Sequence, residues 1–399
     1  MSWLSRILGV GESRSSLENP NTNLVQWLNS GNSNKSGASV TSDSTDSISA
    51  AWRATSLISG TTASLPIGVY RHLDSGRSFV KDDPITFLLN NPSPLYSKFV
   101  FWERLVLNLC KQGNGIAFIK RDEMSNPIGL ELPTTPVKPI IFQNTLMYKV
   151  DGIELPLFAD DVIHVVGFGD NPIWGKNVIQ VHAENLGISL ASNDFAATYF
   201  GNGGQISGVL QSDLKLNQEQ KNAIATDWKR KYGGDNRNST AVLDLGFKYV
   251  PIGSRPQESQ LIEARKFQVE EVARIWGIPL HLLFSLDRAT FNNIEVMNAV
   301  WVQHTLTLYL ERIESELKRK LISKADSADK DIMFDLDGLK RGDMSARAAF
   351  YNQLFQISSI SPNEIRRAEG LPTYKGGDVY YRPLNMEGVG ENKNKKDEE

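Results

Sequence analysis

The pattern of apolar and polar residues is most informative over residues 258–322, where the apolar residues have helical spacing and predict two helices. The first covers 258–276 and stops at Gly277-Ile278-Pro279, because glycine favours the left-handed conformation beyond a helix end and proline cannot continue a helix. The second follows a short loop, with Asn292 as a cap and Glu295 three residues on, as in a capping box. Its apolar residues keep helical spacing over roughly 30 residues, or about 45 Å. A long helix joined to a shorter one by a tight loop suggests a scaffold.

The first half of the chain mixes helical and strand-like patterns. Ser97 is expected to cap a helix that ends near Lys111, and the turn signal Asn126-Pro127 is expected to join two strands of a hairpin. A helix is also predicted from about Ile48 to Leu65. Further strands are predicted at residues 66–70, 140–142, 147–150 and 162–166. Helices and strands in this arrangement indicate an α+β lobe.

Beyond this lobe, a helix from about Ile179 to Phe200 leads into a compact insert. Within the insert, Asn217 is expected to cap a helix that lies between short strands. After the long helix the pattern predicts one strand and then two helices, at 331–336, 343–356 and 362–369. Ser361 and Glu364 form a second capping box at the start of the last helix.

Both ends of the chain are poor in apolar residues. Residues 1–50 are rich in Ser and Asn, so we expect most of this segment to be mobile or to order against a neighbour. Its short amphipathic start, Met1–Leu8, allows either a frayed terminus or docking onto a partner or a membrane. Residues 376–399 are expected to form a disordered, solvated tail.

Composition limits the possible functions. At 399 residues the chain predicts two or more lobes. A net charge of −3 argues against tight binding of nucleic acid, although a conduit that lets DNA slide does not need many static phosphate contacts. The single cysteine, Cys110, excludes an intramolecular disulfide. Its place on an apolar helical face predicts a buried small side chain, with a reactive thiol as the alternative.

No motif of the sequence predicts catalysis. Gly169–Lys176 has five residues between its glycines where a phosphate loop needs four, and Asn177 replaces the Mg²⁺-binding Ser or Thr. The five histidines lack metal-ligand spacing, and His164 is expected to be a satisfied strand residue. Paired carboxylates such as Asp160-Asp161 are interpreted as solvated. The sequence therefore predicts no enzyme, no metal and no cofactor.

Two motifs of the helical pair match a known family, and further matches follow in the family's order along most of the chain. The two motifs are Ile275-Trp276-Gly277-Ile278-Pro279 and Phe291-Asn292-Asn293-Ile294-Glu295. The further matches lie at residues 63–70, 87–92, 113–119, 160–164, 199–203 and 361–366. With these motifs the chain resembles the phage portal proteins of the large family found in long-tailed double-stranded-DNA phages.

The resemblance implies an α+β fold of portal type, with a wing lobe, a helical stem, a small α/β clip insert, a long helix and a C-terminal helical crown. The implied divisions are a flexible N-terminal segment (1–50), the first part of the wing (51–178), a stem helix (179–203), the clip (204–257), a second stem helix (258–277), a tunnel loop (278–292), the long helix with a closing wing strand (293–337), the crown (338–375) and a disordered tail (376–399).

The resemblance also implies a function. Portal subunits form a cyclic ring, expected here to be a dodecamer, at one capsid vertex of the virion. Double-stranded DNA passes through the ring during packaging and ejection. The implied protein partners are further copies of the subunit, the major capsid protein, the terminase large subunit and a head–tail connector protein. Double-stranded DNA is expected to bind transiently and without sequence specificity, and no membrane is expected as a partner. Assembly is expected in the host cytoplasm. The alternatives are a head–tail connector or other structural virion protein that never contacts DNA, or an enzyme of unknown type.

Candidate contact residues follow from the same resemblance. Arg288 and Asp287, with Ser285 and Thr290, belong to the loop that lines the narrowest part of the channel in the family. Their contacts with phosphates are expected to be transient and independent of DNA sequence. In the clip, the basic group consists of Lys229, Arg230, Lys231 and Arg237. This group is interpreted either as an exposed helix end whose cations suit the helix dipole or as a clip mouth and motor interface.

Overall fold

The chain forms two compact units, Met1–Phe334 and Asp335–Glu399. A computed structural model describes residues 35–73, 76–201, 208–212, 216–232, 247–251, 258–285, 291–336, 339 and 344–381. The mixture of helices and small sheets agrees with the predicted α+β class. The finer division into wing, stem, clip and crown stays a prediction.

The described part of the first unit contains ten α-helices. They are α1 (Ser42–Asp46), α2 (Ser49–Ser64), α3 (Pro84–Asn90), α4 (Lys98–Gln112), α5 (Val178–Val181), α6 (Ala183–Gly201), α7 (Gln218–Tyr232), α8 (Glu258–Trp276), α9 (Phe291–Trp301) and α10 (Thr307–Leu321). The described part of the second unit contains α11 (Met344–Gln356) and α12 (Pro362–Ala368). Ser97 caps α4 as predicted, and Ser361 with Glu364 forms the predicted capping box of α12.

The strands of the described residues form four antiparallel sheets. The strands are β1 (Ile67–Leu73), β2 (Gly76–Val80), β3 (Asn114–Arg121), β4 (Pro127–Glu131), β5 (Val137–Phe142), β6 (Thr145–Val150), β7 (Leu157–Phe158), β8 (Val162–Val166), β9 (Gly208–Gln211), β10 (Lys248–Pro251) and β11 (Lys330–Phe334). Their orders are β11-β1-β2, β4-β3-β8, β5-β6-β7 and β10-β9. The predicted hairpin at Asn126-Pro127 is confirmed as β3–β4.

The main core of the first unit lies where α2 packs on α4. Trp102 of α4 is fully buried and meets the ring of Phe334 edge-on, with the ring centroids 5.8 Å apart. Cys110 is also fully buried, which confirms the prediction of a small core side chain, and burial raises the pKa of its thiol to about 12. Such a thiol stays protonated and unreactive in the folded chain.

The glycine-rich loop after β8 is a packing element. A side chain on Gly175 would place its Cβ 2.0 Å from the carbonyl oxygen of Gly113, so the two backbones touch because neither residue has a side chain. The side chain of Asn114 joins the two segments by two hydrogen bonds. Its amide donates to the carbonyl of Gly175, and its Oδ1 accepts from the Gly175 N–H, both at 2.9 Å. The loop Gly169–Lys176, which partly resembles a phosphate loop, therefore needs glycine at position 175 for close packing against Gly113.

His164 is satisfied within β8, as predicted. Its Nδ1 lies 3.0 Å from the hydroxyl of Tyr148, and its Nε2 lies 3.0 Å from Oδ1 of Asn114. Burial lowers its pKa to about 4, so the ring is neutral at ordinary pH.

Two expectations need correction. Residues 35–50, assigned to a flexible segment, are part of the fold: Thr41 and Ser44 form a capping box on α1, and Asp46 binds Lys111 at 2.5 Å. Asn292 does not precede its helix, because α9 already begins at Phe291. The predicted long helix is confirmed over residues 291–321, with a π-helical turn at Val302–Leu306 between α9 and α10.

Candidate functional site at the bridge between two helices

We call residues 277–285 the bridge, because they leave the end of α8 and lead toward α9. α8 ends in a Schellman motif: Gly277 is left-handed (φ 64°), its N–H donates to the carbonyl of Arg274, and the N–H of Ile278 donates to the carbonyl of Ala273. Ile278 and Ala273 are both buried, which supplies the apolar contact that accompanies this motif. The predicted helix stop is therefore confirmed in its detailed geometry.

The π-turn holds the first residue of the bridge. The hydroxyl of Thr305 donates to the carbonyl of Gly277 at 2.8 Å, and a Cβ added to Gly277 would lie 2.9 Å from that hydroxyl oxygen. Two grooves, of about 590 and 330 Å³, are both lined by Gly277, Thr305 and His304. The Thr305 hydroxyl therefore connects the π-turn directly to the end of α8, between the two grooves.

The middle of the bridge is a 3₁₀ turn, Leu280–Leu283, tied to α9. Nε2 of His281 lies 2.8 Å from Oδ1 of Asn298. Nδ1 of His281 and Nε1 of Trp301 are the two buried side-chain nitrogen or oxygen atoms without a hydrogen-bond partner among the described residues. Such groups are rare in folded proteins, and both lie where the bridge meets α9.

The last part of the bridge is strained and exposed. Phe284 is left-handed (φ 60°), a conformation that costs a residue with a Cβ about 1–2 kcal/mol, and its side chain is 75% exposed. Arg53 of α2 reaches this point: its Nε donates to the carbonyl of Leu282 at 3.2 Å, and its guanidinium lies 5.1 Å from the centre of the Phe284 ring. A helix of the lobe thus contacts the bridge directly.

α8 is fixed to its neighbours by polar contacts along one side. Asn185 of α6 donates to Glu271 at 2.7 Å and is the main reason that the pKa of this carboxyl is lowered, while Ser189 donates to Gln268 at 2.8 Å. The indole N–H of Trp276 donates to the carbonyl of Cys110 at 3.1 Å. α8 is therefore held against α4 and α6 up to the residue at which the bridge begins.

The predicted tunnel residues are described only in part. The N–H of Ser285 donates to the carbonyl of Leu280 at 3.0 Å and closes the 3₁₀ turn. Asp287, Arg288 and Thr290 lie outside the described residues. Their role as channel-lining residues stays a prediction.

The predicted basic group of the clip is also described only in part. Arg230 lies on α7, is exposed, and forms an ion pair with Asp227 one turn earlier. Lys229 and Lys231 belong to the same helix, but their side chains, like the whole of Arg237, lie outside the described part of the chain. The role of this basic group, as a solvated helix end or as a motor interface, stays a prediction.

Sequence reasoning missed the residues that hold the bridge. Arg53 lies 229 residues before Leu282, and no local pattern connects them. Asn298 and Thr305 fall within a helical pattern that gives no sign of their bonds to the bridge. Phe284 falls within the predicted tunnel loop, and no sequence pattern marks its left-handed backbone.

The described residues show no catalytic arrangement around the bridge. Within the described ranges there is no group of three or more His, Cys, Asp or Glu side chains that could hold a metal ion. None of the described helices is long and apolar enough to cross a membrane.

Comparison with known proteins identifies relatives of this architecture. A family model described as phage portal protein matches residues 49–370. The portal protein of Enterobacteria phage HK97 is 30% identical over 344 residues, which cover 84% of this chain and 81% of the relative.

Solved structures agree in fold. A phage portal protein of the HK97 family from Corynebacterium diphtheriae has a TM-score of 0.58 at 18% identity, covering 75% of this chain and 96% of that protein. A chain from the neck of a native gene transfer agent particle, computed with C12 symmetry, has a TM-score of 0.51 at 18% identity, covering 94% of this chain and all of that one.

Proposed function

Because this chain belongs to the phage portal protein family, we propose that it is the structural subunit of a ring at one capsid vertex, through which double-stranded DNA is packaged and later ejected. The observation that carries the proposal is the family match over residues 49–370, which includes α8, the bridge, α9 and α10. The C12 symmetry of the related neck particle supports a ring of twelve copies.

Ring closure needs two different faces on each subunit, since a cyclic assembly is built from heterologous contacts. The described helices carry exposed apolar side chains that suit this purpose. Phe195 lies on α6, Val296 and Val300 lie on α9, and Leu308 lies on α10, all of them exposed in the single chain. Contact with neighbouring copies would remove these side chains from water and so favour assembly.

The bridge and the residues that follow it are proposed to face the channel. Arg288, with Asp287, Ser285 and Thr290, would contact DNA phosphates transiently and without sequence preference. Replacing Arg288 by Glu should lower packaging efficiency and DNA retention, whereas Arg288→Lys, which keeps the charge, should change them little. Equal packaging by the Glu variant and the parent would contradict a phosphate contact at this residue.

The remaining roles follow the family plan. We propose that the ring docks into the capsid by contact with the major capsid protein, binds the terminase ATPase through the insert that contains Lys229, Arg230, Lys231 and Arg237, and later joins a head–tail connector. The subunit itself would hydrolyse nothing, because the motor partner supplies the ATP chemistry. Assembly would take place in the host cytoplasm before incorporation into the virion.

Two measurements test the proposal together. Electron microscopy of the purified chain should show rings with a central hole that admits a duplex. Capsids assembled with these rings, motor ATPase and linear DNA should protect DNA from nuclease, and capsids assembled without the chain should not. A chain that stays monomeric under assembly conditions, or equal protection in both capsid preparations, would refute the function.

A further inference from the structure

The bridge is held by three side chains that differ in origin. Asn298 of α9 and Thr305 of the π-turn belong to the helix that the bridge itself leads into. Arg53 belongs to α2, which packs against both α8 and the 3₁₀ turn of the bridge. Among these three anchors, Arg53 therefore links the bridge to the lobe at the beginning of the chain.

Arg53 makes two contacts that only a planar guanidinium can make together. Its Nε donates to the carbonyl of Leu282, and its Cζ lies over the ring of Phe284, two residues on, at 5.1 Å from the ring centre. A lysine has a rotatable ammonium that lacks both the planar face and the fixed direction of the Nε donor. The two contacts meet the bridge at the end of the 3₁₀ turn, next to the left-handed residue.

The left-handed backbone of Phe284 explains why an external anchor is needed. A residue with a Cβ stays in this conformation only where the surroundings fix it, and the Phe284 side chain is too exposed for core packing to do so. The N–H of Phe284 donates to the carbonyl of His281 at 3.1 Å, and that of Ser285 donates to Leu280 at 3.0 Å. Arg53 supplies the outside contact on the same turn.

We propose that Arg53 is a positioning residue, which fixes the conformation of the bridge at Leu282–Phe284 and so couples the lobe containing α2 to the DNA path. The proposal rests on the proposed function for the channel, but its structural part concerns the bridge alone. Arg53 itself is not required to touch DNA.

Amide hydrogen exchange on assembled rings tests the structural part. In Arg53→Lys the amides of Phe284 and Ser285 should exchange about fivefold faster than in the parent, because losing one net hydrogen bond makes local opening easier. Arg366→Lys is the matched control, since Nε of Arg366 also donates to a backbone carbonyl, that of Pro372, and its guanidinium also lies over an aromatic ring. This control should leave exchange at the bridge unchanged. The Arg53→Ala variant should match or exceed the effect, and where it fails to fold the Lys variant decides.

DNA packaging in the same rings separates this inference from the proposed function. Faster exchange with reduced nuclease protection of DNA supports both. Faster exchange with unchanged protection supports Arg53 as an anchor of the bridge but contradicts its coupling to DNA passage. Unchanged exchange in Arg53→Lys overturns the inference and leaves the ring function standing.

Discussion

Replacing Gly277 by Ala should weaken the junction between α8 and the bridge by an amount that the structure makes calculable. Gly277 has φ 64°, and a side chain in this left-handed region costs about 1–2 kcal/mol. The added Cβ would also lie 2.9 Å from Oγ1 and 3.3 Å from Cγ2 of Thr305. Thr305 cannot move away without losing its hydrogen bond to the Gly277 carbonyl, which is worth about 1 kcal/mol. The expected loss in the free energy of unfolding is about 2–3 kcal/mol.

The assay is urea unfolding followed by tryptophan fluorescence, under conditions that keep the chain unassembled. Gly152→Ala is the control, because Gly152 is also left-handed (φ 89°) in the first unit but an added Cβ would meet nothing within 4 Å. Gly152→Ala should lower the free energy of unfolding only by the cost of a side chain in the left-handed conformation, about 1–2 kcal/mol.

A double-mutant cycle isolates the steric part. Thr305→Ala removes the atoms nearest the added Cβ, so the double variant Gly277→Ala, Thr305→Ala should be about 1 kcal/mol more stable than the sum of the two single losses predicts. Equal losses at Gly277 and Gly152, together with strict additivity in the cycle, would refute the close contact between Gly277 and the π-turn.

Three further predictions concern the rest of the first unit. Asp83→Asn should lower the free energy of unfolding, measured by thermal denaturation, by about 2 kcal/mol, because Lys330 loses its charge-assisted hydrogen bond to the buried Asp83 at 3.0 Å and keeps only Asp326 at 3.6 Å. Asp326→Asn, which removes the half-exposed partner of the same lysine, should cost under about 1 kcal/mol, and equal losses would contradict the assignment. Cys110 should resist a thiol reagent at pH 8 until urea unfolds the chain, since burial raises its pKa to about 12, and fast labelling of folded chain would disprove its burial. Burial lowers the pKa of His164 to about 4, from about 6.5 in an unfolded chain. The neutral ring therefore contributes about 3 kcal/mol to the free energy of unfolding above pH 6.5, and this contribution is lost as the pH falls toward 4. The His164→Gln variant should lose less stability than the parent between pH 7 and 4.5, and parallel curves of unfolding free energy against pH would contradict this.

The features that could be predicted from the sequence are those set by residues close together in the chain. Ser97 caps α4, Gly277 ends α8, and Ser361 with Glu364 caps α12, because each signal acts within four residues of the backbone group that it satisfies. Family motifs added the portal-type architecture, which the comparisons support.

The features that could not be predicted depend on contacts between distant segments. Arg53 reaches a carbonyl 229 residues away, and Asp46 orders the segment before α2 by binding Lys111. The π-turn at Val302–Leu306 interrupts a helical pattern that shows no proline or glycine at that point. Such arrangements follow from tertiary packing, which local propensity does not encode.

Cryo-electron microscopy of the assembled rings would locate the bridge relative to the ring axis. We expect α8, the bridge and α9 to form the channel wall, with the chain after Ser285 nearest the axis. A ring whose central hole is lined by other segments, with the bridge on the outer surface, would contradict it.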